Sequence, residues 1–192
     1  ARSEQIEMAH AVDAVFHDNE HLLAEAGTGV GKSFAYLVPA ILQATRADGP
    51  RRVIISTYTI ALQEQLIQRD IPFLRAVWPN EFTAVLVKGR GNYLSIRRLK
   101  EASERQGLLF SGERHLDGLW QIEDWAYKTT EGSLGELDPV PDPRVWELVR
   151  SEHGNCLGRR CPHYNACFYQ RARRRAAHAQ ILVVNHALLM TH

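Results

Sequence analysis

A glycine-rich segment near the start of the 192-residue chain carries the clearest chemistry. Residues 26–33 read Ala-Gly-Thr-Gly-Val-Gly-Lys-Ser, the spacing of a phosphate-binding loop (P-loop), with Ala26 where the stricter pattern has its first glycine. In such a loop the backbone N–H groups converge on the β-phosphate of a nucleotide, and the following helix N-terminus adds to the attraction. The segment therefore predicts a site for a nucleoside triphosphate, against the alternative of a glycine-rich turn that matches by chance.

Two side chains of the P-loop are of types that nucleotide chemistry uses. Lys32 can place its ammonium group against the β- and γ-phosphates, and Ser33 can offer its hydroxyl to Mg²⁺. We therefore interpret both as catalytic residues. The predicted contacts to ATP and Mg²⁺ in this loop are Ala26, Gly27, Thr28, Gly29, Val30, Gly31, Lys32 and Ser33.

A second group of chemically active residues is a cluster of thiols. The chain has three cysteines, and all of them fall in the short stretch Cys156-x4-Cys161-x5-Cys167. Thiolates this close in sequence usually share a metal. Three ligands are one short of a closed site, and His153 or His163 is near enough in sequence to complete a zinc site. Buried unpaired cysteines, or one local disulfide with a spare thiol, are the alternatives without metal.

Apolar patterning predicts the elements that would position these groups. Strands are expected over residues 21–26, 52–57, 82–87 and 180–185, and helices over residues 3–16, from 33 onward and over 59–69. Strands that alternate with helices indicate an α/β fold with a parallel sheet. A phosphate-binding loop belongs between the first strand and its helix.

Residues 88–179 interrupt this alternation. Helical patterns appear over residues 92–106 and 113–128, and Asp142 followed by Pro143 predicts a further helix start. A connection this long with its own helices indicates an inserted, mainly helical subdomain, and it contains all the cysteines. The predicted division is residues 1–87 and 180–192 for the P-loop domain and 88–179 for the insertion.

Composition narrows the class of protein. The formal net charge is +1, which argues against a uniformly basic binder. No apolar run is long enough to span a bilayer, no signal peptide is visible, and an odd number of cysteines fits a disulfide framework poorly. These features predict a cytoplasmic protein with no membrane partner. Both ends of the chain also indicate a fragment of a longer protein.

Four blocks of sequence together resemble one family, the iron–sulfur helicases of superfamily 2 (the XPD/DinG-like group), and in particular its bacterial DinG-like branch. Residues 25–33 match helicase motif I, and residues 56–66 resemble motif Ia, which in the family meets the DNA backbone. Residues 88–94 resemble the segment that leads into the cluster domain. The stretch from Cys156 to Cys167, followed by residues 183–189, resembles the rest of that domain and the strand that leaves it.

The resemblance implies a RecA-like motor domain with an inserted [4Fe-4S] subdomain, in an ATP-dependent DNA helicase. It implies single-stranded DNA or a forked duplex as substrate, translocation from 5′ to 3′, and DNA repair as the usual setting. Gln5 corresponds to the glutamine that touches adenine in such helicases. A monomer is the expected state.

The predicted DNA contacts fall into two sets. Thr57, Thr59 and Gln63 follow a strand, at the edge where open α/β sheets bind ligands, although helix capping by Thr57 or Thr59 is an equally simple reading. The second set lies in the insertion, where arginines occur among aromatic residues, a mixture suited to single strands. This set is Arg159, Arg160, Arg173, Arg174 and Arg175. A solvated helix face with ordinary ion pairs is the alternative.

Two departures from the family pattern matter. Ser95 stands where the family has its first cluster cysteine, and a serine hydroxyl is a poor iron ligand because it is hard to deprotonate. An iron–sulfur cluster, a zinc ion and no metal therefore all stay open. The chain also ends before the Asp-Glu-Ala-His box, so it is expected to bind ATP but hydrolyse it poorly. The competing functions are a metal-stabilised nucleic-acid-binding module whose P-loop binds nucleotide without unwinding, and another P-loop enzyme such as a nucleotide kinase.

Overall fold

The computed structural model describes residues 2–18, 20–49, 51–109 and 113–191. These residues fall into two compact units, one of residues 1–87 with 178–192 and one of residues 88–177. We call them unit 1 and unit 2. Within the described ranges, no helix is long and apolar enough to cross a membrane.

Unit 1 is built on a three-stranded parallel sheet with the strand order β1-β3-β2. Its strands are β1 (Val53–Thr57), β2 (Ala84–Leu86) and β3 (Ile181–Asn185). Val53 and Ala84 both pair with Ile181, so β3 is the central strand and bridges two distant parts of the sequence. Both pairings are parallel, so the predicted parallel sheet is confirmed.

The helices of unit 1 supply the apolar side chains that cover this sheet. They are α1 (Ser3–Asp18), α2 (Lys32–Ala44), α3 (Ile60–Gln65), α4 (Ile71–Val77) and the short α10 (His186–Leu189). Leu37 and Ile41 of α2 are fully buried in one core with Leu66, Ile181 and Val183. This core holds α2, which begins at the end of the P-loop, in place against the sheet.

Two local predictions for unit 1 are wrong. Residues 21–26 form no strand in the described structure, and Leu23 there is fully exposed. A strand needs a neighbour for its hydrogen bonds, and a short apolar run does not provide one. The helix expected to end before Pro72 instead continues to Val77, because a π-helical turn, Leu66–Asp70, leads into α4 with Pro72 in its first turn. The missing N–H of proline is tolerated there.

Unit 2 is mainly helical. Its helices are α5 (Ile96–Glu104), α6 (Gln106–Leu109), α7 (Glu113–Ala126), α8 (Pro143–Val149) and α9 (Phe168–His178), with short 3₁₀ turns at Arg90–Asn92, Leu134–Glu136 and Gly158–Arg160. Its core contains Leu94, Leu119, Ile122, Val145 and Val149, all fully buried. The Asp142 cap of α8 is confirmed, since its Oδ1 accepts a hydrogen bond from the Arg144 N–H at 2.8 Å. The helix expected over residues 92–106 is shorter and begins only after Ser95.

Gly132 fixes the packing of unit 2 beside the last cysteine. Its φ of +64° lies in the left-handed region, and a Cβ there would overlap the ring of Phe168, which follows Cys167. Gly132→Ala is therefore expected to destabilise unit 2 by about 3 kcal/mol through backbone strain and overpacking together. Urea unfolding monitored by tryptophan fluorescence measures this change. Gly107→Ala is the control, because nothing lies within 4 Å of a Cβ there, and an equal loss in both variants would contradict the packing argument.

Candidate functional site

The P-loop turns from an irregular segment into helix α2 through two glycines. Gly29 has a φ of +78° and Gly31 a φ of +90°, values that favour glycine because a Cβ would be strained there. Gly31 occupies the N-cap position of α2 and offers no side chain to the first-turn N–H groups. These amide groups are therefore left for an anionic ligand, as a phosphate site at a helix N-terminus requires.

Lys32 lies folded over the loop. Its Nζ donates hydrogen bonds to the carbonyl oxygens of Ala26 and Gly27, both at 2.8 Å. The ammonium group thus already sits at the mouth of the loop, with the backbone carbonyls as partners. A phosphate would compete with neutral carbonyls for this cation, and a charged acceptor forms the stronger hydrogen bond.

Ser33 points toward a phenol in the next turn of α2. Burial raises the pKa of Tyr36, and the side-chain hydrogen bond between Ser33 and Tyr36 opposes this rise. The phenol is therefore neutral at physiological pH and can exchange a hydrogen bond with the Ser33 hydroxyl. Thr28 and Val30 complete the loop between the glycines.

The start of α1 and the residue before it contact the two positive-φ glycines of the P-loop. Gln5 Nε2 donates to the Gly31 carbonyl at 3.0 Å, and Arg2 Nη1 donates to the Gly29 carbonyl at 2.6 Å. In this conformation Gln5 supports the loop, and its contact with adenine stays a prediction. Sequence reasoning missed Arg2. The available signal was its position three residues before Gln5, a spacing that places two side chains on the same helix face.

The residues expected to meet DNA after β1 have different surroundings. Thr57 and Gln63 are buried, and the Thr57 Oγ1 donates to the Thr59 carbonyl at 3.2 Å. Thr59 is exposed, and its Oγ1 accepts a hydrogen bond from the Leu62 N–H at 3.2 Å, so it caps α3. Helix capping, the alternative interpretation, is therefore what the structure shows for Thr59. The DNA contacts of Thr57, Thr59 and Gln63 stay predictions. The large side chains exposed here are those of Tyr58 and Ile60.

In unit 2, one small surface pocket brings the three cysteines and Ser95 together. Cys156, Cys161 and Cys167 line it from the segment before α9, and Ser95 lines it from the start of α5. The Ser95 Oγ accepts a hydrogen bond from the Arg98 N–H at 3.5 Å and so caps α5. The structure thus places a capping serine where the resemblance expected a fourth ligand.

The thiols of this pocket are free and accessible. Cys156 is exposed, and Cys161 and Cys167 are half-buried. The Gly158 N–H donates a hydrogen bond to the Cys156 Sγ at 3.4 Å. This bond is the main reason why the pKa of the Cys156 thiol is lowered. Burial raises the pKa by less, and the nearby Arg90 and Arg97 lower it further. A lowered pKa favours the thiolate, which is the form that binds metal.

The pocket does not have the geometry of a single-ion site. Among the described residues, no three side chains of His, Cys, Asp or Glu are close enough together to hold one metal ion. The lining residues of the pocket do not include His153 or His163. What the chain brings together here is a set of three thiols and one hydroxyl around a shared space.

The arginines of unit 2 differ in how far they are already paired. Arg175 forms an ion pair with Glu131 at 3.0 Å, and Arg174 donates to the Asn165 carbonyl at 3.3 Å. Arg159, Arg160 and Arg173 are exposed, and within the described part of the chain their guanidinium groups form no ion pair or hydrogen bond. Of the five predicted arginines, these three therefore present a free guanidinium group to a ligand.

The block at residues 88–94 holds unit 2 together. Lys88 Nζ donates to the Ser133 Oγ at 2.8 Å, and the Trp146 indole donates to the Gly91 carbonyl at 2.9 Å. The Arg90 guanidinium lies 4.2 Å from the centre of the Tyr169 ring, a cation–π contact. In this structure the block therefore has a packing role beside the thiol pocket.

Comparison with known proteins places the chain in a family. The DEAD/DEAH box helicase family model matches residues 5–111, which is more than half of the chain and includes the P-loop. The chain belongs to the DEAD/DEAH box helicase family.

Individual relatives cover nearly the whole chain. It is 38% identical over 190 residues to ATP-dependent DNA helicase YoaA of Escherichia coli, covering 98% of this chain and 29% of that protein. It is 39% identical over 206 residues to ATP-dependent helicase DinG of Mycobacterium tuberculosis, covering 98% and 30%. A Bacillus subtilis protein named 3′-5′ exonuclease DinG is 31% identical over 194 residues, covering 99% and 20%. The chain thus spans less than a third of the length of these relatives.

Proposed function

We propose that this chain is the ATP-binding part of an ATP-dependent DNA helicase of the DinG-like kind. The observation that carries the proposal is the P-loop, in which two left-handed glycines, an uncapped helix start and Lys32 lie within a segment that the helicase family model matches. Lys32 binds the β- and γ-phosphates after it leaves the Ala26 and Gly27 carbonyls, and Ser33 binds Mg²⁺.

The direct test is binding of both ligands by the purified chain. We expect saturable binding of MgATP, measured by calorimetry, and binding of a single-stranded oligonucleotide, measured by fluorescence anisotropy. A chain that binds neither would overturn the proposal. A chain that binds DNA but no nucleotide would refute the P-loop assignment. The 5′ to 3′ direction, the forked substrate, the monomeric state and the cytoplasmic location stay predictions from the sequence.

The pocket of unit 2 fits an iron–sulfur cluster in its donor chemistry. Clusters are held by cysteine thiolates, and three thiols line this one space, with the thiolate form favoured at Cys156. We infer that Cys156, Cys161 and Cys167 hold the cluster and that Ser95 is a weak fourth ligand. When bound, the cluster supplies a rigid covalent crosslink between these segments of unit 2. Zinc bound with a histidine as fourth ligand is the competing occupant.

The exposed arginines of unit 2 are the proposed contacts to the phosphates of single-stranded DNA. Each phosphate that a cation neutralises adds about 0.7 to the slope of log affinity against log salt for a single strand. Arg173→Ala is therefore expected to weaken oligonucleotide binding and to reduce this slope by about 0.7. Arg175→Ala is the matched control two residues further along α9, and it is expected to have a smaller effect because Arg175 is paired with Glu131. Equal slopes for wild type and Arg173→Ala would leave Arg173 as surface charge only.

A further inference from the structure

At the carboxyl end of β1, two exposed aromatic rings lie close together. Tyr58 is 81% exposed, whereas its neighbour Thr57 is 3% exposed. The Tyr58 ring faces the exposed His186, with ring centroids 6.3 Å apart at an angle of 46°. We propose that Tyr58 and His186 form a platform on which a base of single-stranded DNA stacks. This inference rests on the proposed function and adds a binding site to it in unit 1.

Hydrogen bonds between the ends of β1 and β3 hold the platform in place. Ser56 Oγ lies 2.6 Å from His186 Nδ1, which fixes the orientation of the imidazole ring. Asn185 Nδ2 donates to the Tyr58 carbonyl at 3.2 Å, and its Oδ1 accepts from the Ala187 N–H at 2.8 Å. One asparagine thus ties the backbone of Tyr58 to the start of the segment that carries His186.

These bonds order a surface that buries almost nothing within unit 1. An aromatic side chain usually contributes to stability by burying a large area, and a ring as exposed as Tyr58 does not. Ser56 nevertheless fixes the imidazole ring of His186, and Asn185 fixes the backbone that carries the Tyr58 ring. A rigid aromatic surface loses little conformational entropy when a ligand binds, so this arrangement favours recognition.

The position and the chemistry favour a nucleic-acid strand as the ligand. Ligands of open α/β sheets bind at the carboxyl ends of the strands, which is where Tyr58 and His186 lie. Every base has a π-face, so stacking on an aromatic ring tolerates any sequence, as a motor that moves along DNA requires. The hydrogen bond to Ser56 uses His186 Nδ1, which leaves Nε2 available to a phosphate or base edge.

The test compares Tyr58→Ala with wild type on two oligonucleotides of equal length and charge, oligo(dT) and an abasic strand. Tyr58→Ala is expected to lower the affinity for oligo(dT) by about tenfold. On the abasic strand the two proteins are expected to bind within about twofold of each other, because there is no base to stack. The salt dependence of binding should be the same in both proteins, since the lost contact is not ionic.

Further variants separate stacking from loss of fold. Tyr58→Phe and Tyr58→Trp keep an aromatic ring and are expected to bind oligo(dT) at least as well as wild type. Tyr127→Ala is the matched control, because Tyr127 is 93% exposed and lies in unit 2. If Tyr58→Ala binds oligo(dT) like wild type, or if the abasic strand shows the same loss, the platform is refuted while the proposed function stands. If wild type binds no single strand at all, the DNA-binding part of the proposed function fails as well.

Discussion

Lys32→Ala is expected to lower the affinity of this chain for MgATP by about a hundredfold or more, which corresponds to roughly 3 kcal/mol of lost charge-assisted contacts. The ammonium group is the P-loop's own cationic side chain, and it lies at the mouth of the loop, 2.8 Å from the carbonyls of Ala26 and Gly27. Its removal leaves the backbone amides of the loop to bind the phosphates without a positive side chain. Isothermal titration with MgATP measures the change.

The same substitution should hardly affect stability, which separates a binding defect from an unfolded protein. The Lys32 partners are backbone carbonyls at the surface of a loop, and water can replace the ammonium there at little cost. The melting temperature of Lys32→Ala is therefore expected to match wild type within a few degrees. Lys100→Ala, an exposed lysine of α5, is the matched control and should keep wild-type affinity for ATP. Unchanged ATP affinity in Lys32→Ala would refute the P-loop assignment.

Features set by local residue types could be predicted from the sequence. The glycines of the P-loop are such a case, because only glycine takes the φ values of Gly29 and Gly31 without strain. The runs that became β1 and β3 are another, since continuous β-branched sequences suit a parallel sheet with both faces covered. The cap at Asp142 followed the same local logic.

Features that depend on distant neighbours could not be predicted in the same way. The apolar run at residues 21–26 does not form a strand because strand formation is decided by a partner outside the run. The role of Arg2 arises only because α1 packs beside the P-loop. Thr57 and Gln63 are buried while Tyr58 between them is exposed, and this difference depends on how the end of β1 packs against the rest of unit 1.

The thiol pocket combines both kinds of feature. The cysteine spacing alone indicated a shared metal, but it left the fourth ligand open. In the structure, Ser95 and the three thiols line the same pocket. Ser95 reaches this position because α5 packs into the core of unit 2. Ser95 is both the cap of α5 and a neighbour of the thiols, because its Oγ accepts from the first turn of the helix and the residue also lines the pocket.

The chain purified without oxygen is expected to contain iron and acid-labile sulfide in matching amounts, with a broad absorption band near ~400 nm. Cys161→Ser should lower the iron content by roughly an order of magnitude or more, because the serine hydroxyl does not replace a thiolate as an iron ligand. It should also lower the melting temperature of unit 2, since metal binding contributes folding free energy. Elemental analysis and the visible spectrum measure the first effect, and thermal unfolding measures the second.

Ser95→Cys is expected to act in the opposite direction. A fourth thiol on the pocket wall would complete the ligand set, so the cluster should survive exposure to air for longer than in wild type. The loss of the serine cap on α5 costs up to about 1 kcal/mol, so the apo form of this variant should be slightly less stable than apo wild type. The two effects have opposite signs in the holo and apo forms, which a change in packing alone would not produce. Stoichiometric zinc in wild type, lost in His163→Ala or His153→Ala, would contradict the cluster and move the fourth ligand to a histidine.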